Sequence, residues 1–285
     1  MLAVSVLNQI GVVTSMNLRN VPHRLGTSLV VVIGVAGVVA VLISVMAMAT
    51  GFSHTIASTA RPDRVIVIRG GSGAELQSTL SRESAAVVRD APGVKKYGDG
   101  RPVVSAEVLV MVNLPKKGQT EVANVALRGV EPMGRVLRPE IRIISGRTFR
   151  PAVHELIVGK SAQAQFTGLD VGSQLSIRGS DWTIVGNFES DGDSHESEMI
   201  ADLETVMSAY RRDLYQAVTL QLESVASFQV LKDALTTNPA LTVDVSRETD
   251  YYAAQSKELS AILFFVAYFV GSIMAVTVPI PVDLT

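Results

Sequence analysis

The stretch SGRTFRPAVHELIVGKSAQAQFTGLDVGSQLSIRGSDWTIVGNFES, Ser145 to Ser190, contains three short apolar segments that glycines set apart. The segments HELIVGK, SQLSIRG and DWTIVGNF each have the length and the glycine boundaries of a strand. A short helix is predicted between the first two, near Ala162 to Phe166. The stretch therefore predicts a β-rich insert over about residues 145–190.

The sequence on both sides of this insert alternates between strands and helices. DRVIVIRGG predicts a strand, and SRESAAVVRDAPGV predicts a helix that begins at Ser81 and ends at Pro92. PVVSAEVLVMVNL and VANVALRGV predict a hairpin with its turn at PKKGQ. After the insert, helices are predicted for EMIADLETVMSAYRR and VASFQVLKDALTTNP, and strands for AVTLQLES and LTVDVSRE. This order predicts an α+β domain of two lobes over residues 52–257, a βαβ-type lobe with the β-rich insert.

An uncharged segment precedes this domain: TSLVVVIGVAGVVAVLISVMAMATG, Thr27 to Gly51. A secretory signal has an apolar region of about 7 to 15 residues, whereas a membrane-spanning helix needs about 20. The length therefore predicts a transmembrane helix over residues 26–51. Ala47-Met48-Ala49 has the small-x-small spacing of a signal-peptidase site, so cleavage is the alternative.

A second uncharged segment follows the domain: LSAILFFVAYFVGSIMAVTV, Leu259 to Val278. No processing signal accounts for an apolar segment at this place, and prolines follow it at Pro279 and Pro281. We predict a second transmembrane helix over residues 258–278 and a short atypical tail over 279–285.

The charges beside the first span favour a cytoplasmic N-terminus. Arg19 and Arg24 precede the span without an acidic residue, although Arg61 and Arg64 follow on the other side. Residues 1–25 are predicted to form a cytoplasmic amphipathic segment, with a frayed start of the first span as the alternative. The two spans and these charges therefore predict a membrane-anchored protein whose central domain lies on the side opposite its N-terminus.

Small residues recur at helical spacing in both spans. Such residues let helix backbones approach closely, which favours packing between helices in a bilayer. The alternative is that alanine and glycine are simply common in membrane helices. The predicted packing positions are Ala36, Ala40, Ser44, Ala267, Gly271 and Ala275.

Composition excludes several classes of function. The net charge is −2 and like charges do not cluster, which gives no reason to expect a nucleic-acid partner. The chain has no cysteine, and therefore has neither disulfides nor thiolate metal sites.

Three features resemble chemical motifs but lack an essential part. Gly159-Lys160-Ser161 matches the end of a phosphate-binding loop, yet His154 stands where that loop requires glycine. The acidic run DGDSHESE, Asp191 to Glu198, lacks the order of ligands of a calcium loop. The histidines have no Gly-x-Ser-x-Gly motif beside them. We therefore expect no enzyme activity, metal or bound cofactor.

The residues of the insert resemble the periplasmic core domain of the MacB and FtsX-like permeases, which are subunits of ABC transporters. LRGVEP, Leu127 to Pro132, and SEMIADLETV, Ser197 to Val206, extend this resemblance beyond the insert. The residues that match the family in order and spacing are Gly146, Arg147, Phe149, Glu155, Gly159, Gly172, Trp182 and Gly186. We expect the glycines among them to form tight turns between short strands.

The resemblance implies a multi-pass permease of the bacterial inner (cell) membrane, whose central periplasmic domain transmits motion for the export or extraction of a substrate. ATP would be bound by a separate ABC ATPase subunit, and further partners would be a second permease copy or a related permease, a periplasmic adaptor protein and membrane lipid. The family continues with a cytoplasmic segment and two more helices, whereas this sequence ends in TVPIPVDLT, so we expect a chain truncated after its second span. The alternative function is a two-span periplasmic binding or scaffold protein without ATPase coupling.

Overall fold

The computed structural model describes the chain at Val12 and over residues 25–277. The chain divides into two units, one comprising Met1–Phe52 and Glu258–Thr285 and the other Ser53–Lys257. Within residues 25–277 the helices are α1 Leu25–Thr59, α2 Arg82–Arg89, α3 Gly134–Leu137, α4 Lys160–Gln165, α5 Leu203–Tyr210, α6 Phe228–Thr236 and α7 Glu248–Thr277.

One described helix is long and apolar enough to cross a membrane. It is α1, whose segment Val32–Gly51 has a mean hydropathy of 2.6. The second predicted span lies in α7, where several side chains are outside the described residues, so that span stays a prediction. The predicted amphipathic segment and the C-terminal tail also lie outside the described residues, apart from Val12 and Leu25, the first residue of α1.

The domain Ser53–Lys257 contains a sheet of ten strands. They are β1 Arg64–Arg69, β2 Val104–Pro115, β3 Val122–Val130, β4 Arg142–Gly146, β5 Glu155–Gly159, β6 Gln174–Ile177, β7 Ser180–Glu189, β8 Glu198–Asp202, β9 Ala217–Gln221 and β10 Val243–Arg247. Their order is β10-β1-β9-β2-β3-β8-β5-β7-β4, and β6 pairs with the first half of β7. The pairs β3–β8 and β5–β7 are parallel and the others are antiparallel.

The sheet explains the relation between the two predicted lobes. Strands from the β-rich insert form one end, strands from the first and last parts of the domain form the other, and β3 and β8 hydrogen-bond between them. The α+β class is confirmed, and the two lobes are the two halves of one continuous sheet.

The largest apolar core lies on one face of this sheet, which we call the first face. Helices α2, α4, α5 and α6 all contribute to it, for example through Val88, Ala162, Leu203 and Leu231. A fully buried Val or Leu side chain of this kind stabilises the fold by about 1.5–3 kcal/mol. The four helices therefore cover the first face and leave the opposite, second face to other segments.

Most predicted elements of the domain are present, and the details show why. Ser81 is the N-cap of α2, and its side chain accepts a hydrogen bond from the backbone N–H of Ser84. The predicted hairpin is formed by β2 and β3, in register from Glu107↔Val130 to Pro115↔Val122.

The prediction of one helix over EMIADLETVMSAYRR is wrong in its first part. Glu198–Asp202 forms β8, and α5 begins only at Leu203. Asp202 ends the strand and caps the helix, because its side chain accepts a hydrogen bond from the backbone N–H of Thr205.

Candidate functional site: a buried network of ion pairs

The second face of the sheet has charged side chains at its centre. Val65, Val108, Leu127 and Met199 belong to the core of the first face, and adjacent residues in a strand point to opposite faces. The strand residues that consequently point to the second face include Arg64, Glu107, Arg128 and Glu198. Burying a charge is unfavourable unless it is paired, so the packing at this face depends on ion pairs.

Arg128 on β3 lies between three carboxylates. Its Nη1 is 3.0 Å from Oε2 of Glu75 and 2.9 Å from Oε2 of Glu107. Its Nε and Nη2 donate to the two carboxylate oxygens of Glu198, at 2.8 and 3.0 Å. The guanidinium therefore connects β2, β3 and β8 to the short helical turn at Glu75–Gln77.

Arg138, which follows α3, forms the second centre of the network. Its Nη1 and Nη2 donate to both carboxylate oxygens of Glu107, at 2.6 and 3.1 Å. Its Nε donates to Nε2 of His195 at 3.1 Å. Nδ1 of His195 lies 3.4 Å from Oδ2 of Asp193.

The charges in this centre reinforce one another. Burial raises the pKa of Glu107, but the neighbouring Arg138 and Arg128 outweigh burial and lower the pKa overall. Burial also raises the pKa of Glu198, and the charge of Arg128 leads the opposing effects that bring it down to about 2. For Arg128 burial lowers the pKa, and the surrounding glutamates raise it well above the ordinary value. Glu107, Glu198 and Arg128 therefore stay ionised at neutral pH.

Arg64, the first residue of β1, joins the sheet to the start of α7. Its Nε donates to Oε2 of Glu248 at 2.6 Å, and its Nη1 donates to Oε1 of Glu140 and, at 2.9 Å, to the carbonyl oxygen of Leu137. The backbone N–H of Arg61, just after α1, donates to the same oxygen of Glu248 at 2.9 Å. Glu248 is the first residue of α7 and is fully buried. Its carboxylate therefore holds the start of α7 and the segment after α1 against the sheet.

Two tyrosines fix the first turn of α7 at a second place. The hydroxyl of Tyr251 accepts a hydrogen bond from the backbone N–H of Glu75 at 2.9 Å. Tyr251 and Tyr252 meet edge to face and pack against Ile66 and Ile68 of β1. The start of α7 thus contacts β1 through apolar as well as charged groups.

Sequence reasoning missed this network. Its partners are far apart in the chain, as Arg64 and Glu248 are, and only the strand order brings them together. One signal was available: Glu107 and Arg128 each stand inside a segment whose other residues are mostly apolar. A charge inside such a strand predicts a buried partner, although the sequence does not identify the partner.

Two of the family-matching glycines allow close contact between neighbouring strands. Gly186 lies inside β7, and a Cβ there would overlap the carbonyl oxygen of Arg147. Gly146 has a φ of +75°, and its Cβ would overlap the carbonyl oxygen of Val185. The predicted tight turn at Gly186 is wrong, because this glycine is needed for the approach of β4 and not for a turn.

Gly159 also serves close approach rather than a tight turn. It ends β5 as the N-cap of α4, and a Cβ there would overlap the carbonyl oxygen of Glu196. Lys160 reaches the carboxylate of Glu196 at 3.3 Å. The residues Gly159-Lys160-Ser161 thus join a strand to a helix and contact the acidic loop.

The other family-matching residues pack around β5 and β7. Arg147 donates to both carboxylate oxygens of Glu155 at 2.7 Å, and these bonds are the main reason that the pKa of Glu155 lies well below its ordinary value. Trp182 is fully buried and meets the ring of His154 edge to face. Phe149 packs over an apolar cluster of the second face. Gly172 has a φ of +91°, which fits the predicted turn.

The acidic run Asp191 to Glu198 stabilises its own loop. Asp193 caps the turn Ser194–Ser197 by accepting from the backbone N–H of His195. Glu196 accepts from the backbone N–H groups of Ser190 and Gly192, both at 2.9 Å. In the part of the chain that is described, no group of three or more metal-ligating side chains could hold a metal ion.

The predicted packing positions of the membrane helices differ in their surroundings. Ala36, Ala40 and Ser44 are exposed on α1, and the hydroxyl of Ser44 donates to the carbonyl oxygen of Ala40. Ala267 on α7 is buried. The surroundings of Gly271 and Ala275 lie outside the described residues, and helix packing stays a prediction.

These features define a class of protein: an α+β domain that follows a helix of membrane-spanning length and holds the start of a second long helix through buried ion pairs. The model of the MacB-like periplasmic core domain family matches residues 25–238, and the chain belongs to this family. The resemblance found in the sequence is thereby confirmed. A comparison with curated proteins gives no match.

Solved structures of similar domains come from several bacteria. The extracellular domain of the noncanonic ABC-type transporter YknZ from Gram-positive bacteria is 16% identical with a TM-score of 0.48, over 64% of this chain and 99% of that one. The periplasmic region of MacB from Actinobacillus actinomycetemcomitans is 10% identical with a TM-score of 0.48, and the match covers 66% of this chain and 90% of that one. A domain of a permease protein from Porphyromonas gingivalis is 15% identical with a TM-score of 0.39, and the match covers 64% of this chain and 85% of that one.

Proposed function

We propose that the chain is the permease subunit of a MacB/FtsX-like ABC transporter, in which a separate ATPase subunit supplies the energy. In this proposal the periplasmic domain transmits motion from the membrane helices to the export or extraction of a substrate. Membership of the MacB-like periplasmic core domain family supports it. The proposed location is the inner membrane, with both predicted spans retained.

The observation that carries the proposal is the attachment of Glu248. This carboxylate begins α7 and is bonded to Arg64 of β1 and to the backbone of Arg61 after α1. Separating a buried ion pair leaves an uncompensated charge, which costs about 3–5 kcal/mol of free energy. A displacement of the start of α7 would therefore move the sheet with it instead of breaking the contact.

The partners follow from the same proposal. The ATPase subunit binds the ATP, a second permease copy or a related permease completes the membrane part, and a periplasmic adaptor protein receives the motion. Membrane lipid surrounds α1, whose apolar side chains are largely exposed.

The experiment uses the full chain expressed with an ABC ATPase subunit from the source organism. Co-purification is measured first, followed by hydrogen exchange of residues 104–130 with ATP and with a non-hydrolysable analogue. We expect the ATPase to co-purify and the exchange of the β2–β3 hairpin to differ between the two nucleotides.

Two variants test whether the ion-pair network transmits the motion. Arg64→Met should abolish the nucleotide-dependent difference in exchange while the ATPase still co-purifies. Arg82→Met is the matched control, because Arg82 pairs with Glu204 at the surface and not in the network. Absence of any ATPase association would overturn the proposal and favour the scaffold alternative.

A further inference from the structure

A cavity of about 290 Å³ lies on the second face, next to the ion-pair network. Val130, Ile157 and Ile200 of the sheet form one wall, and Ile143 and Phe149 are among the residues that line the rest. The first three belong to one apolar cluster, against which the last two pack. The interior is therefore apolar, and small molecules bind in concave apolar sites of about this size or larger.

The polar groups of the cavity are unevenly distributed. Arg128 and Arg138 line it where it meets the network, but both are buried and engaged by glutamates. Arg135 also lines the cavity and is exposed, and it forms no ion pair with any residue in the described part of the chain. The hydroxyl oxygen of Thr148, another lining residue, is buried without a hydrogen-bond partner among the described residues.

These observations favour a ligand with one charged end. The arginines of the network are already matched by carboxylates, so an additional anion there would meet an excess of negative charge. An anion at Arg135 would instead meet a solvent-exposed cation without a competing carboxylate. The apolar remainder of the ligand would lie against Ile157 and Ile200, where it is removed from water.

We propose that this cavity binds a single-chain anionic amphiphile from the membrane, with its carboxylate at Arg135 and its hydrocarbon chain inside. The volume lies at the lower end of the range for ligand pockets, which fits one chain better than two. The domain follows a helix of membrane-spanning length, so a bilayer is the nearest source of such molecules. The proposal does not depend on coupling to an ATPase.

The test is photo-crosslinking of the full chain in lipid nanodiscs. The probes are dodecanoic acid and 1-dodecanol, each with a diazirine on the chain, and the labelled peptides are identified by mass spectrometry. Labelling of α1 from the bilayer is the internal reference for both probes. We expect the acid to label residues 130–157 above this reference and unlabelled dodecanoate to compete.

Variants test the two ends of the ligand separately. Arg135→Gln should reduce labelling by the acid roughly fivefold, the scale of an exposed ion pair, and leave labelling by the alcohol unchanged. Arg69→Gln is the matched control, because Arg69 is exposed and does not line the cavity. Val136→Phe should fill the cavity and reduce labelling by both probes.

The outcomes are distinct. If Arg135→Gln reduces labelling by the acid and by the alcohol equally, the placement of the carboxylate at Arg135 is refuted. If neither probe labels residues 130–157, the cavity is not a binding site for the amphiphile. Arg135 is exposed, so its variant provides the test even if Val136→Phe fails to fold.

Discussion

Arg64→Met should be among the most destabilising single substitutions in the domain. The change removes a buried guanidinium and leaves the carboxylates of Glu248 and Glu140, which are 0% and 4% exposed, without their main partner. Breaking a buried ion pair from one side destabilises a protein by about 3–5 kcal/mol. Total stabilities are about 5–15 kcal/mol, so the variant should lose a large fraction of its stability.

The chain contains one tryptophan, Trp182, and its side chain is fully buried. Urea unfolding of the full chain in nanodiscs, followed by the fluorescence of this residue, therefore reports on the domain. Arg82→Met is the control and should lose at most about 1 kcal/mol, because its ion pair with Glu204 is half exposed. If the two variants unfold at urea midpoints that differ by less than the equivalent of 1 kcal/mol, the network does not hold the start of α7 to the sheet.

Three further predictions concern other parts of the molecule. Gly159→Ala should lower the melting temperature strongly, because its Cβ would overlap a backbone oxygen, whereas Gly98→Ala, with open space around it, should change it little; equal melting temperatures would contradict this reasoning. Burial raises the pKa of Glu198, but the charge of Arg128 outweighs burial and lowers the pKa from 4.5 to about 2. The ionised carboxylate therefore adds about 3 kcal/mol of stability above pH 4.5, and this contribution is lost as the pH falls towards 2. Glu198→Gln should therefore flatten the decline of unfolding free energy between pH 5 and 2, and an unchanged slope would refute the assignment. Ala267→Leu should weaken packing of the predicted membrane helices, because Ala267 is buried. Unchanged cross-linking in membranes would exclude this position from the predicted contact.

Local signals in the sequence predicted much of the domain. Ser81 predicted the start of α2 because an N-cap acts on the residues that directly follow it. The apolar segments on either side of PKKGQ predicted the β2–β3 hairpin because the strands are joined by a short turn. The β-rich insert was found in the same way.

The errors arose where the tertiary structure determines the outcome. Glu198–Asp202 is composed of residues that a helix also accepts, and it is a strand because it pairs with β3 and β5. The short strand β4 was missed, since its residues become a strand through pairing with β7. Gly186 was assigned to a turn, because the sequence does not reveal that the backbone of Arg147 crosses it.

The candidate site was the least predictable part. Single charges inside apolar segments were visible, but the pairing of Arg64 with Glu248 requires knowledge of which strand lies beside β1. The cavity depends on segments that fold over the sheet, and no local pattern marks such an arrangement.

The place of β1 in the sheet has a consequence for biogenesis. β1 is the first strand after α1, and its neighbours β9 and β10 are the last two strands of the domain. During synthesis and translocation, Val65 to Ile68 therefore have no partner strand until almost the whole domain has crossed the membrane. Long-range strand pairing of this kind favours slow folding and aggregation, so we expect β1 to need protection by a chaperone during this time.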